Sequence, residues 1–149
     1  MVLIVDYSRQ SPSIYVLKDF YHEMHQWEVK YYSRLPPLLE SDAPQGEVDA
    51  VQEAAKKALV GIYDKFGIVG KKNRNRVAGL ALSDPPTYEG VPYIQEQTES
   101  GDNSAIYLVK KLIGLQGQYR YTLKKQGGSW ILAKREFLDH DQKWRSFGF

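Results

Sequence analysis

One stretch, residues 118–138, constrains the fold of this chain more than any other, and its sequence is QYRYTLKKQGGSWILAKREFL. Apolar and polar side chains alternate along its first half, with the period of two that is typical of a half-buried strand. Gly127-Gly128 then supplies two residues that accept positive φ, as a tight hairpin turn requires. Both faces carry apolar groups, as in a strand covered on both sides. The stretch therefore predicts a β-hairpin at the centre of a sheet.

The register of this hairpin has two interpretations. A two-residue loop pairs Leu123 with Leu132 and Lys125 with Trp130. A one-residue bulge would instead reverse the faces of the second strand, because side chains alternate with a period of two. The alternation alone does not choose between these registers.

Two amphipathic helices are predicted ahead of the sheet. Ser11-Pro12 is a typical helix start, since serine caps helices and proline suits the first helical position. Apolar residues then recur at helical spacing up to Pro36-Pro37, which we expect to end the first helix. A second apolar stripe covers residues 48–66, and Gly67 suits the C-terminal cap. The short linker between the helices favours an antiparallel pair.

Short antiparallel strands are predicted for the rest of the chain. Strands at residues 77–82, 93–99 and 105–113 precede the hairpin and are separated by turn signals such as Ser100-Gly101-Asp102-Asn103. Residues 139–149, here called the tail, carry three aromatic side chains that we expect to fold back onto the body. Two helices followed by four or five mostly antiparallel strands make a single α+β domain over residues 1–149.

Composition excludes some chemistry and leaves the partner open. The chain has no cysteine, which excludes disulfides, thiolate metal sites and a cysteine nucleophile. No apolar run reaches the length of a membrane span, and residues 2–5 are too short for a signal-peptide core, so we expect a cytoplasmic protein. Residues 1–100 hold 11 Lys/Arg and 14 Asp/Glu, a net charge of −3, whereas residues 101–149 hold 9 and 4, a net charge of +5. The predicted sheet is therefore basic.

Three segments of the chain resemble one protein family. They are Leu82-Ser83-Asp84-Pro85-Pro86-Thr87-Tyr88; Tyr119-Arg120-Tyr121-Thr122-Leu123; and Gly128-Ser129-Trp130-Ile131-Leu132 followed by Trp144. In this order they are similar to immunity proteins of bacterial polymorphic toxin systems that have the nuclear-transport-factor-2-like (NTF2-like) fold, or cystatin-like cone. The resemblance implies helices packed on a curved sheet and capture of a cognate secreted toxin, with no catalysis and no cofactor. Ala133-Lys134-Arg135 departs from the family, where an acidic residue is expected.

Basic residues mark the surface that we expect to contact the toxin. A basic run at residues 71–76 lies in a predicted loop, and further cations lie on the predicted sheet among tyrosines, a composition typical of interface anchors. The predicted contact residues are Lys71, Lys72, Arg74, Arg76, Arg120, Lys124, Lys134 and Arg135. The plain alternative for the run is a solvated loop. Base stacking on nucleic acid is a lesser alternative, because a pI near 8.6 is moderate.

A ligand pocket is the rival interpretation. In enzymes with the cone fold, such as isomerases and dehydratases, tyrosines and carboxylates between helices and sheet stabilise an enolate or move a proton. The candidates for such a pocket are Tyr21, Tyr63, Asp64, Tyr93 and Tyr107. Buried tyrosines also serve packing alone. Pairing of open sheet faces into a homodimer is a further alternative that the sequence leaves open.

The histidines have a structural and a chemical interpretation. His22 and His25 share a helix face and could begin a metal site whose third ligand is Glu23 or His140. Asp139-His140-Asp141 could orient an imidazole for proton transfer. No metal motif, partnered serine or paired acid accompanies them. We therefore expect surface or half-buried histidines, with neither a metal site nor a catalytic set.

Overall fold

The computed structural model describes residues 12–82, 85–99, 101–112 and 116–149. Within these residues three α-helices precede five β-strands. The helices are α1 (Pro12–Glu40), α2 (Gln45–Lys65) and α3 (Lys71–Gly79), and the strands are β1 (Tyr93–Glu99), β2 (Ser104–Lys110), β3 (Gln118–Gln126), β4 (Ser129–Leu138) and β5 (Trp144–Phe147). All neighbouring strands pair antiparallel in the order β1-β2-β3-β4-β5. The predicted α+β fold is confirmed.

The hydrophobic core lies between the helices and one face of the sheet, here called the inner face. Burial alternates strictly along β2, where every second side chain is buried against the helices. The opposite, outer face is half-buried at most along this strand. The buried apolar residues of the sheet and helices include Leu17, Phe20, Tyr21, Met24, Leu59, Tyr63, Tyr107, Tyr121, Leu123 and Leu132.

The prediction that Pro36-Pro37 ends the first helix is wrong, because α1 continues to Glu40 with both prolines inside it. Leu35 is only 5% exposed, so packing of this turn against the core holds the backbone in helical geometry. The missing proline N–H groups weaken only the last turn of the helix. The helix α2 ends as predicted, since Gly67 follows it with a φ of +66°.

The segment after α2 also differs from the prediction. The basic run at residues 71–76 was expected to be a loop and residues 77–82 a strand, but the helix α3 covers Lys71–Gly79. Leu80 then takes a left-handed conformation with a φ of +47° and ends the helix. Asn73 is buried on α3 and bonds Val69 O and the backbone N–H of Phe149. The long-range contact with Phe149 favours the helix, whereas the apolar run by itself is compatible with either a helix or a strand.

The hairpin combines both registers considered from the sequence. Near the turn Leu123 pairs with Leu132 and Lys125 with Trp130, as a two-residue loop requires. The pairing then shifts between Thr122 and Leu123, because Thr122 pairs with Lys134. This bulge reverses the faces of the second half of β4.

The tail folds back onto the body as expected. Its strand β5 pairs with β4, and Phe137 and Phe147 of these two strands pack edge to face at 5.3 Å between ring centroids. Beyond β5 the chain turns inward, so Phe149 is 3% exposed. Its ring lies 5.7 Å from that of Phe20 on α1. The tail thus contributes an edge strand and one core side chain.

Some predictions lie outside the described residues. They concern the Ser11 cap, the apolar residues 2–5, the Ser83-Asp84 part of the proline loop, Ser100 in the turn before β2, and Ile113 at the end of the predicted third strand.

Candidate functional site

The bulge in β4 places Arg135 on the inner face, where its guanidinium is buried. The residue is 2% exposed, although the sequence placed it on the basic outer surface. Its Nε donates to Tyr121 Oη at 3.0 Å and its Nη1 to Gly148 O at 2.8 Å. Aromatic rings surround the guanidinium carbon at 4.5 Å for Tyr119, 5.1 Å for Phe147 and 5.2 Å for Tyr88. Cation–π contacts therefore replace part of its lost hydration.

The charge of Arg135 is maintained inside this aromatic cage. Burial acts to lower the pKa of the guanidinium, whereas Tyr121 and Tyr88 act to raise it, and the resulting pKa lies above its ordinary value. Burial also raises the pKa of Tyr88 and Tyr21 well above that of a free tyrosine. The cage is therefore a cation held by neutral phenols at physiological pH.

A second buried charge, Glu28 on α1, fixes the loop that leads to β1. The side chain is fully buried, and its two oxygens accept hydrogen bonds from the backbone N–H groups of Thr87 at 2.9 Å and Tyr88 at 3.1 Å. The nearest cation is Arg76, whose Nη2 lies 3.8 Å from Glu28 Oε2. A carboxylate that accepts two backbone N–H groups is well satisfied, so its role here is structural.

The backbone of Phe149 is held at both polar atoms. Its N–H donates to Asn73 Oδ1 at 2.8 Å. Its carbonyl oxygen accepts hydrogen bonds from Tyr63 Oη at 2.7 Å and from Arg76 Nη1 at 2.8 Å. The space between helices and sheet is therefore occupied by a segment of the same chain.

An open cavity of about 580 Å³ remains beside Phe149, here called the arginine cavity. It is bounded by α3, the loop after α3, the second half of β4 and the tail. Its lining residues are Lys72, Asn75, Arg76, Ala81, Leu82, Thr87, Arg135, Phe147, Gly148 and Phe149. Three of these side chains are cationic, and none of the described lining residues is acidic.

The five pocket candidates from the sequence do not line this cavity. Three of them are buried: Tyr21 Oη lies 2.9 Å from Tyr121 Oη, Tyr107 Oη lies 2.5 Å from Ser13 Oγ, and Tyr63 bonds the tail. Asp64 is exposed, and Tyr93 is 53% exposed. Tyr63 and Asp64 do line one small pocket beside α3, but the Tyr63 hydroxyl is already bonded to Phe149 O, and the other three candidates are not among the residues that line this pocket.

The predicted contact residues divide into three groups. Lys71, Lys72 and Arg74 are exposed on α3, while Arg76 of the same run points inward and is 14% exposed at its side chain. We call the three exposed cations the α3 patch. Lys72 Nζ also donates to Ser146 O of β5 at 3.0 Å.

The second group lies on the outer face of the sheet. It borders a depression of about 520 Å³, here called the outer groove, lined by Ile106, Arg120, Thr122, Lys124, Ala133, Lys134 and Glu136. Arg120 pairs with Glu136 through two hydrogen bonds of 2.9 and 3.0 Å and stacks on Trp144 at 4.6 Å. Hydrogen bonds from Arg120 hold the pKa of Glu136 below its ordinary value. Lys124 and Lys134 remain exposed.

Arg135 forms the third group by itself, and the bulge explains why its predicted exposure was wrong. Sequence reasoning predicted that the tail aromatics pack on the body, but it missed Glu28, Asn73 and the backbone of Phe149 as hydrogen-bonded anchors. One signal was present for Glu28, because an acidic residue within the apolar stripe of a helix is exceptional and needs buried donors. The other two depend on contacts over more than 70 residues of sequence.

The three histidines do not form a cluster that could bind a metal ion or transfer a proton. His25 Nδ1 lies 2.8 Å from Tyr88 O, and the side chains of His22 and His140 are exposed. Among the described residues, no group of three or more His, Cys, Asp or Glu side chains could hold a metal ion. None of the helices described combines the length and the hydropathy that a membrane span requires.

Comparison with known proteins identifies the family. Residues 13–148 match the family described as NTF2 fold immunity protein, a range that includes nearly all of α1 and the whole sheet. The chain belongs to this family. The NTF2-fold immunity protein described here is also 32% identical over 130 residues to the immunity protein RhsIA of Dickeya dadantii (strain 3937), which covers 87% of this chain and 90% of the relative. No solved structure matches the chain. The resemblance inferred from three segments is confirmed.

Proposed function

We propose that this immunity protein neutralises one cognate secreted toxin by direct protein–protein contact and without catalysis. The observation that carries the proposal is the family match over residues 13–148, which includes the helices and the sheet together. Neutralisation by contact requires only a complementary surface that covers the active site of the toxin or a surface that the toxin needs. The proposal therefore concerns the exposed face of the protein more than its interior.

The interior of the fold supports a binding role over the rival isomerase or dehydratase role. The rival predicts a pocket lined by Tyr63, Tyr93, Tyr107 and a carboxylate. Phe149 occupies the space beside Tyr63, and the described lining of the arginine cavity contains neither those tyrosines nor an acidic side chain. The buried hydroxyls of the candidates Tyr21 and Tyr107 are each hydrogen-bonded to a neighbouring hydroxyl, as those of structural tyrosines are.

The exposed cations supply the proposed contact surface. The α3 patch offers three cations without carboxylate partners within 4 Å in the described part of the chain. The outer groove adds Arg120, Lys124 and Lys134 beside Trp144, and arginine with an aromatic ring is the composition enriched at interface anchors. Such a surface fits an acidic face of the toxin and speeds encounter through long-range attraction.

Co-expression tests the proposed function. The C-terminal domain encoded by the neighbouring gene is expressed in a sensitive host, with and without this protein. We expect the toxin domain to stop growth when it is expressed by itself. Co-expression of this protein should restore growth, and the two chains should co-purify as a complex. Toxicity without rescue, or rescue without a complex, would refute neutralisation by direct contact.

Charge reversal in the α3 patch tests the contact surface. The double variant Lys72→Glu/Arg74→Glu should slow toxin association by about tenfold at low salt, and the difference should shrink as salt rises, because screening weakens steering. Lys30→Glu/Lys57→Glu is the matched control, since both lysines are exposed on α1 and α2 and the net charge change is the same. Equal association rates for the two double variants would remove the α3 patch from the proposed interface.

A further inference from the structure

Two of the three cations that line the arginine cavity, Lys72 and Arg135, have no carboxylate partner within 4 Å among the described residues. The third cation, Arg76, has its Nη2 3.8 Å from Glu28, a fully buried carboxylate that is not among the lining residues and already accepts two backbone hydrogen bonds. Within the described residues, no carboxylate lies within 4 Å of Arg135. A buried cation without a counter-ion strongly favours an incoming anion.

The two arginines keep unused hydrogen-bond donors. Arg135 uses Nε and Nη1, while its Nη2 makes no hydrogen bond within the part of the chain that the structure describes. Arg76 uses Nη1 on Phe149 O, while its buried Nε has no partner among the described groups. A guanidinium presents its donors as a planar fork that matches the two oxygens of a carboxylate. The free donors of Arg135 therefore match this kind of ligand.

The rim of the cavity is apolar and accessible from solvent. Phe147 is 49% exposed, Ala81 is exposed and Leu82 is half-buried. These groups can cover the carbon stem of a side chain whose charged end reaches the arginines. A volume of about 580 Å³ exceeds what a small inorganic anion fills and suits an amino-acid side chain with its flanking backbone.

We propose that the arginine cavity receives one aspartate or glutamate side chain of the toxin, whose carboxylate pairs with Arg135. The inference rests on the proposed function and names the anchoring chemistry of the complex. The cage of Tyr119, Phe147 and Tyr88 holds the guanidinium in place before binding. Arg135 therefore loses little side-chain conformational entropy when the carboxylate binds, which favours high affinity and slow dissociation.

The test places a carboxylate of the immunity protein itself in the cavity. Ala81 lies on the rim outside any helix or strand, so Ala81→Glu leaves Arg135 and its cage intact. Ala81→Gln has nearly the same shape without the charge and is the matched control. Affinity for the purified toxin domain is measured for both variants by calorimetry, and their thermal midpoints are compared with that of the wild type.

We expect Ala81→Glu to bind the toxin domain at least about tenfold more weakly than Ala81→Gln, with a thermal midpoint equal to or above that of the control. Equal affinities of the two variants would overturn the inference while leaving the proposed function intact. Failure of the wild type to bind the toxin domain would instead overturn the proposed function.

A reciprocal scan of the toxin identifies the inserted side chain. Each exposed aspartate or glutamate of the toxin is changed to its amide, and we expect one change to weaken binding to the wild type but not to weaken Ala81→Glu further. Inorganic phosphate is the probe for the alternative source of negative charge. Thermal stabilisation by millimolar phosphate that is lost only in Ala81→Glu, with no coupled toxin residue, would assign the cavity to a free anion and overturn the inference.

Discussion

Replacing Phe149 tests whether the tail is part of the core. The ring is 3% exposed and contacts Phe20 edge-on, with the ring centroids 5.7 Å apart and the planes at 87°. It also packs against Tyr121 with a centroid distance of 6.2 Å. Truncation of a buried phenylalanine to alanine costs about 3–5 kcal/mol, and loss of aromatic pairing is part of this cost. We therefore expect Phe149→Ala to lower the free energy of unfolding by about 3 kcal/mol or more.

The control lies two residues away in the same tail. Phe147 is 49% exposed, so about half of its transfer free energy is gained on folding, and Phe147→Ala should cost only about 1 kcal/mol. Urea unfolding followed by circular dichroism gives both values, and the slope of the transition checks that unfolding remains two-state. A cost for Phe149→Ala below about 1 kcal/mol, or no greater than that of Phe147→Ala, would refute the docking of the tail between helices and sheet.

Three further changes probe individual contacts. Glu28→Gln should lower the free energy of unfolding by about 1–3 kcal/mol, because an amide cannot accept from both buried N–H groups; an unchanged urea midpoint would contradict this. Gly67→Ala should lower the free energy of unfolding by more than about 1 kcal/mol, because φ is +66° and the new Cβ would lie 2.5 Å from the side chain of Ile131. Gly61→Ala inside α2 meets open space and should raise the free energy of unfolding by about 0.5–1 kcal/mol. Changes of the same sign in the two variants would refute the backbone argument. Pairing with Arg120 lowers the pKa of Glu136, so the pair stabilises the fold above the unfolded pKa of this carboxyl, and the stabilisation is lost as pH falls through the folded pKa. Between about pH 5 and pH 3 the free energy of unfolding of the wild type should therefore fall more steeply than that of Glu136→Gln.

The hairpin shows how far local pattern reaches. Its turn, its pairing of Leu123 with Leu132 and its central position follow from alternation and Gly127-Gly128. The bulge one residue further along does not follow, because either register places apolar groups on both faces. That single shift decides whether Arg135 belongs to the surface or to the core.

The segment after α2 shows where local pattern fails. Residues 77–82 are apolar enough for a strand, and the cations before them resemble a solvated loop. The helix α3, which covers Lys71–Gly79, is held by Asn73 and Arg76, whose side chains bond the backbone of Phe149 more than 70 residues away. The division of the basic run into three outward cations and one inward cation has the same origin.

The sequence by itself determined the α+β class, the antiparallel meander, the central hairpin and, through three segments, the family of immunity proteins. Each of these depends on periodicity, turn chemistry or residue order, which are local properties of the chain. Only the tertiary structure decided the fate of the charged side chains. Arg135 and Glu28 are buried because distant aromatic rings and backbone donors surround them, and although the helix pattern indicates burial of Glu28, no local pattern identifies these partners. The candidate anchor for the toxin could therefore be found only after the chain had folded.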